Sequence, residues 1–263
     1  MARRVPEGPP PPPTVQRVRL RYAKRGRLRF SSHRDFARAF ERALRRAAVP
    51  MAYSAGFSPH PKISYLGAAP TGVASEAEYL EIGLARRVDP EELRRAIDDA
   101  LPEGLDIVAV VEAAGASLAE RIEAAHWRIQ LAGVSAEAVG AAVEAFLAAE
   151  QVLVTRLTKD GKREIDARAP VVRAHVVGPG DEVDGCACAT AEGGHVILDL
   201  VVRQATPAVR PDDVLAALAT VTGLALPAPP LAVRLAQGPL DGSGRVGDPF
   251  AADHAAGAAA SLQ

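Results

Sequence analysis

The sequence predicts an α+β fold of two tandem ferredoxin-like (βαββαβ) repeats, at 16–115 and 124–237, between disordered tails at 1–15 and 238–263. Three observations carry this. The hydrophobic period switches back and forth between about 2 and about 3.6 residues, the spacings of strands and helices. The order strand, helix, strand, strand, helix, strand can be read once in full and again in outline. The 263 residues, 48% hydrophobic and 24% charged, suit one large or two small globular domains.

The first repeat opens with Val18, Leu20 and Tyr22 alternating with Arg17, Arg19 and Arg21, a half-buried strand with one basic face. A turn at Lys24-Arg25-Gly26 precedes a second alternation, Leu28 and Phe30 against Arg27 and Arg29. Ser32 and Asp35 have capping-box spacing, and Phe36, Phe40, Ala43, Leu44 and Ala47 share one helical face that Pro50 closes. Met51 to Phe57 reads as a short strand, followed by a long Gly/Pro/Ser loop through Gly72. Glu78 to Leu84 alternates as a strand. Asp89-Pro90-Glu91-Glu92 starts a helix with Leu93, Ala96, Ile97 and Leu101 on its apolar face, and Leu105 to Val111 is β-rich.

The second repeat begins with Trp127, Ile129 and Leu131 alternating in a strand. A helix from Ser135 to Ala149 follows, carrying Val139, Val143, Phe146 and Leu147. Val152 to Thr158 and Glu164 to Ala167 flank Lys159-Asp160-Gly161-Lys162, a hairpin turn. Val196 to Arg203 is a strand, Pro211 to Thr222 a helix stopped by Gly223, and Leu231 to Leu235 the last strand. Residues 170–194 fit neither copy and read as an insertion. The tails are Pro-rich at one end and Gly- then Ala-rich at the other, without periodicity.

Charge is unevenly distributed. The chain has 31 basic and 32 acidic residues, a net charge of −1. Between Val15 and Tyr65, however, thirteen Lys or Arg face only Asp35 and Glu41, a local balance of +11 that leaves the rest at −12. Arg34, Arg38, Arg42, Arg45 and Arg46 form one helical stripe opposite Phe36, Phe40 and Leu44. With Arg17, Arg19, Arg21, Lys24 and Arg25 they form a surface able to neutralise phosphates, which arginine's planar fork can grip in pairs. The alternative is a solvated helix face, which ordinarily mixes signs.

The stretch Tyr53-Ser-Ala-Gly-Phe-Ser-Pro-His-Pro-Lys-Ile-Ser-Tyr65 is the second feature. Prolines fix the backbone on both sides of His60, Phe57 and Tyr65 offer stacking surfaces, and Lys62 offers a phosphate contact. The alternative is that Phe57 and Tyr65 tuck into the core. His33 and His60 are the candidates for a general acid and base in metal-free RNA cleavage, if they meet; otherwise His33 assists its cap and His60 bonds backbone. Arg163, Asp166 and Arg168 suggest an ion-pair ladder or an extension of the basic surface.

Other classes are excluded. Cys186 and Cys188 are the only cysteines, so no disulfide framework or four-cysteine metal site can form, and no metal or cofactor is expected. No phosphate-binding loop, dinucleotide fingerprint or serine nucleophile elbow is present. The first residues lack a signal peptide's apolar core, and no apolar run approaches a membrane span, so a soluble cytoplasmic protein without membrane partners is expected.

Four blocks together carry a family likeness: Leu28-Arg-Phe-Ser-Ser-His-Arg-Asp-Phe36, Arg42-Ala-Leu-Arg-Arg-Ala47, Ala52-Tyr-Ser-Ala-Gly-Phe-Ser-Pro-His-Pro-Lys-Ile-Ser64 and Gly72-Val-Ala-Ser-Glu-Ala-Glu-Tyr79. They closely resemble the bacterial radical-SAM-associated, or radical-SAM-linked, family (DUF2344) in a free-standing form. The likeness covers most of residues 17–237, and Lys162-Arg-Glu-Ile-Asp-Ala-Arg168 echoes a second family motif. Arg34 stands where the family pattern has an apolar residue. The resemblance implies an accessory role beside a radical SAM enzyme. That enzyme would be a separate protein, because this chain has no Cys-x-x-x-Cys-x-x-Cys motif. It also implies an RNA setting near ribonuclease E/G and ribosomal proteins, and it assigns no catalytic residue.

The leading expectation is therefore an RNA-binding or substrate-recruiting module for tRNA or rRNA modification or processing. Its interface residues would be Arg17, Arg19, Arg21, Lys24, Arg25, Arg34, Arg38, Arg42, Arg45, Arg46, Phe57, His60, Lys62 and Tyr65. The alternatives are a metal-independent ribonuclease using His33 and His60, by analogy with CRISPR-repeat-processing folds, and a protein adaptor for a radical SAM enzyme or ribonuclease E/G.

Overall fold

A computed structural model describes residues 11–158, 161–178 and 195–260. Its elements run β1 (Gln16–Lys24), α1 (His33–Arg46), β2 (Ile63–Leu66), β3 (Ala74–Leu84), α2 (Pro90–Asp98), β4 (Leu105–Glu112) and α3 (Leu118–Arg121). Then follow β5 (Ala124–Ala132), α4 (Ala136–Ala148), β6 (Leu153–Thr158), β7 (Gly161–Asp166), β8 (Val171–Val176), β9 (His195–Arg203), α5 (Pro211–Thr222), β10 (Leu231–Gly238) and α6 (Ala251–Ala260). The chain is thus mixed α+β, and it divides into two compact units: Met1–Ala119 with Phe250–Gln263, and Glu120–Pro249. No described helix is long and apolar enough to cross a membrane.

In the first unit β1 lies between β4 and β3, and β2 pairs with β3, every pairing being antiparallel. Val18, Leu20 and Tyr22 turn to one face and join Phe36, Phe40 and Leu44 of α1 and Leu93 and Ile97 of α2 in the core. Tyr22 and Phe36 stack with ring centroids 4.1 Å apart. The other face carries Arg17, Arg19 and Arg21, directly across from Gly83, Glu81 and Tyr79. Phe250 meets Tyr79 edge-on at 5.4 Å, and Asp253 of α6 bonds Arg19. The described part of the expected C-terminal tail is therefore structured. Its alanines favour helix without producing an amphipathic pattern.

Two local expectations are corrected in this unit. The Leu28/Phe30 alternation is a 3-10 helix, Gly26–Phe30, because Gly26 at φ 53 reverses the chain and Leu28 N donates to Arg25 O at 3.0 Å. Met51 to Phe57 is not a strand. Only the bridges Met51 with Leu84 and Tyr53 with Pro61 form there, and β2 lies in the expected loop. Prolines at 59 and 61 have no N–H to continue a ladder, so pairing resumes beyond them.

In the second unit the sheet order is β10, β5, β9, β8, again antiparallel throughout. Trp127, Ile129 and Leu131 lie across from Leu200, Leu198 and Val196, buried, as are Val139, Val143 and Phe146 of α4 and Val214 and Leu218 of α5. β6 and β7 form a separate two-stranded sheet, and β8 takes a place in the main sheet within the span read as an insertion. Lys159 and Asp160 of the expected turn, and Cys186 and Cys188, lie outside the described residues. No ladder joins Arg163, Asp166 and Arg168. Asp166 Oδ1 accepts from Val152 N at 3.2 Å and Arg168 N at 3.0 Å, while the Arg168 guanidinium donates to the carbonyls of Leu147 and Val171.

Candidate nucleic-acid interface

The capping box read in the sequence starts α1. Ser32 Oγ accepts from Asp35 N at 3.2 Å, and the Asp35 carboxylate accepts from Ser32 N at 3.3 Å. The Ser32 hydroxyl, which donates to the Asp35 carboxylate at 2.6 Å, and then Ser32 N hold the Asp35 carboxyl below its ordinary range. The helix buries Phe36, Phe40, Ala43 and Leu44, so Arg34, Arg38, Arg42, Arg45 and Arg46 are exposed. Arg45 stands 3.9 Å from Glu41, and Arg46 Nη1 donates to Ala100 O at 3.1 Å. Among the described residues Arg34, Arg38 and Arg42 form no ion pair. At the C-terminus, Ala48 N donates to Arg45 O and Val49 N to Leu44 O, with Ala48 left-handed at φ 50.

The strand arginines do not form an open basic face. Arg19 is only 2% exposed. Its Nη1 donates to both Asp253 oxygens at 2.7 and 3.0 Å, its Nε to Glu81 at 3.1 Å, and its Nη2 to Ala116 O at 2.7 Å. Lys24 is buried, with Nζ donating to the carbonyls of Ala69 and Pro70, and half-buried Arg21 donates to Glu76 O at 2.8 Å. Arg25 lies between Glu76 and Asp106, whose hydrogen bonds and charges make its guanidinium more basic than usual. Of these five residues Arg17 and Arg25 are exposed, and Arg17 is 3.8 Å from Glu81. Strand periodicity gave the right side; it could not show a carboxylate arriving from α6.

The proline-flanked loop divides its aromatics. Phe57 is 67% exposed and Tyr53 41% exposed. Tyr65, in β2, turns toward the core, edge-on to Phe36 at 6.1 Å and to His33 at 4.8 Å. Its buried hydroxyl has no hydrogen-bond partner among the described residues, and burial, with the Glu41 charge adding, pushes its pKa up to about 12. Ser54 pins the loop: Ser54 N donates to His60 O at 2.9 Å, His60 N to Ser54 Oγ at 3.1 Å, and His60 Nδ1 is 2.9 Å from the same hydroxyl. His33 and His60, both exposed, share no ring contact or hydrogen bond.

Two concave surfaces meet at Pro61. One, of ≈ 230 Å³, runs along α1 and is lined by Glu41, Leu44, Arg45, Met51, Tyr53 and Pro59 among others. The second, of ≈ 330 Å³, gathers Arg17, His60 and Lys62 with Thr14, Ser64 and Glu81. Sequence reasoning missed Thr14, Ser64 and Glu81. The period-2 run Ile63-Ser-Tyr-Leu66 was the available signal, since a strand there puts Ser64 opposite Glu81.

The second unit holds a polar cluster that was not singled out beforehand. Asp199, nearly buried, accepts from His126 Nε2 at 2.6 Å and Arg173 Nη2 at 3.1 Å, with Arg128 Nε at 3.5 Å and His175 Nδ1 at 4.0 Å. Burial pushes its carboxyl up, but the His126 hydrogen bond and the surrounding positive groups outweigh this and leave it below the ordinary range. Among the described residues no group of three His, Cys, Asp or Glu is placed to hold a metal ion.

A family model described as an uncharacterized protein conserved in bacteria (DUF2344) matches residues 17–211. No curated protein matches the chain.

Proposed function

We propose that this chain, which belongs to the DUF2344 family, is an RNA-binding or substrate-recruiting accessory module in RNA modification or processing. The observation that carries the reading is the stripe Arg34, Arg38 and Arg42, exposed at i, i+4 spacing without ion pairs among the described residues. Like charges at that spacing cost a helix about 0.2–0.5 kcal/mol per pair, a cost a polyanion offsets by neutralisation and counterion release. Tyr53, which lines the groove along α1, and Phe57, in the loop between Tyr53 and Pro59, add exposed rings for base stacking. In this reading the reaction belongs to a separate enzyme; the family resemblance suggests a radical SAM enzyme or ribonuclease E/G.

Both units also support a ferredoxin-like assignment. In each, strand order places the fourth β element of the repeat beside the first, then the third, then the second, once the β6–β7 hairpin is set aside. Each first strand puts an arginine directly across from a third-strand acid: Arg19 from Glu81, and Arg128 from Asp199.

The test is RNA binding across a salt series by the wild type and the double variant Arg38→Glu/Arg42→Glu. Loss of two phosphate contacts lowers affinity and flattens the log–log salt slope by about 1.4 for single-stranded RNA. Unchanged affinity and slope would overturn the reading.

A further inference from the structure

We propose that the ≈ 330 Å³ cleft lined by Arg17, His60, Lys62 and Ser64 binds a phosphate monoester, either the terminal phosphate of an RNA strand or a free mononucleotide. The RNA form rests on the function proposed above; the mononucleotide form does not.

The cleft presents donors. Lys62 Nζ donates to Thr14 Oγ1 at 2.9 Å, which positions the ammonium and leaves two of its three N–H bonds. Among the described residues the carboxylate beside Arg17 is that of Glu81, at 3.8 Å, beyond hydrogen-bonding distance. Glu81 Oε2 is taken by Arg19 Nε, and Arg19 is itself matched by Asp253. Glu81 therefore offsets one of Arg17 and Lys62 and leaves the cleft one cation in excess, and the Arg17 fork, with no side-chain hydrogen bond among the described residues, can turn to an incoming anion. Ser54 fixes His60 through Nδ1, and Nε2 has no hydrogen bond among the described residues. Ser64 adds an exposed hydroxyl.

Shape selects the ligand. The volume is at the lower end of small-molecule sites, suited to a phosphate with its attached sugar. Gly83 forms part of the wall, where an added Cβ would lie 3.1 Å from Thr14 Cγ2 and 3.3 Å from Lys62 Cβ. A side chain there would require Thr14 and Lys62 to give by a few tenths of an ångström. The cleft opens on the sheet face that carries Arg17 and Glu81, whereas α1 packs on the face of Val18 and Leu20. Pro61 lines both this cleft and the groove along α1, so a strand tracking the helix reaches the cleft by rounding β2 at Pro61. A chain end carries more charge than an internal diester, and concentrated donors favour that end.

The test compares one short single-stranded RNA carrying a 5′-phosphate, a 3′-phosphate or only hydroxyl ends, together with adenosine 5′-monophosphate and adenosine, on the full chain. One phosphorylated end binds about tenfold tighter than the hydroxyl form, and Arg17→Ala and Lys62→Ala each bring the ratio to within about twofold of parity. Both side chains are exposed, so the folded state is retained. Binding of the mononucleotide, lost in the same variants, without any preference among RNA ends assigns the cleft to free mononucleotides. A preference that survives both variants overturns the site. Equal binding of all three RNAs with no mononucleotide binding also overturns it and leaves the RNA reading intact. Mononucleotide binding without RNA binding overturns the RNA reading and supports the cleft.

Discussion

Asp253 accepts a hydrogen bond from Arg19 at 2.7 Å across 234 positions of sequence, with both side chains almost wholly enclosed. The contact fastens α6 to β1 within the first unit and removes from the surface an arginine that strand periodicity assigns to a basic face. Arg19 also spans Glu81 and the carbonyls of Ala114 and Ala116, so five acceptor atoms share its guanidinium.

Removing Asp253 takes away the bidentate partner of the buried Arg19 guanidinium and leaves Glu81 as its one carboxylate among the described residues. Asp253→Ala is expected to destabilise the chain by about 3–5 kcal/mol, and pairing it with Arg19→Met recovers part of the loss. Urea unfolding of both variants is the measurement. A shift under about 1 kcal/mol for Asp253→Ala would show that the enclosure contributes little.

What could be read in advance follows from how local each cause is. Ser32 with Asp35 and Asp89 with Glu92 are signals within one turn, and both helices start there. The alternation through Val18, Leu20 and Tyr22 is likewise local, and β1 follows it. β2 was obscured by the prolines before it, although Ile63 and Tyr65 already alternate with Ser64. Alanine-rich α6 has no apolar stripe, and its attachment rests on Phe250 and Asp253, whose partners Tyr79 and Arg19 are remote in sequence. The stripe on α1 was legible because one helix displays it. The cleft was not, because it combines Thr14, Arg17, His60 and Glu81 from separate segments.

Asp199 should govern part of the acid limb of stability. Its carboxyl lies below the ordinary range in the folded chain, so the unfolded chain takes up a proton first as pH falls. Its contribution is present above the unfolded carboxylate value and is lost as pH drops through the lower folded value. Asp199→Asn removes the negative charge and replaces one of the two oxygens that accept from His126 and Arg173 with an NH2 donor, and should lower stability at neutral pH by about 3 kcal/mol while flattening the acid limb. Thermal melts from neutral to acid pH check this; parallel profiles for variant and wild type would contradict it.

Tyr65 gives the opposite dependence at alkaline pH. Burial raises its pKa from 10.0 to about 12, so between those values the unfolded chain has released a proton that the folded chain still holds. Stability is unaffected below the unfolded value, falls as pH rises through this window, and levels off above it. The hydroxyl is buried without a hydrogen-bond partner among the described residues, so replacing it with hydrogen removes an unsatisfied group and leaves the ring contacts to Phe36 and His33 in place. Tyr65→Phe is therefore expected to stabilise the chain by roughly 1 kcal/mol at neutral pH and to gain further on wild type as pH rises above 10.0. Denaturant unfolding at neutral and alkaline pH measures both effects. A variant less stable than wild type at neutral pH would show that the hydroxyl makes a stabilising bond.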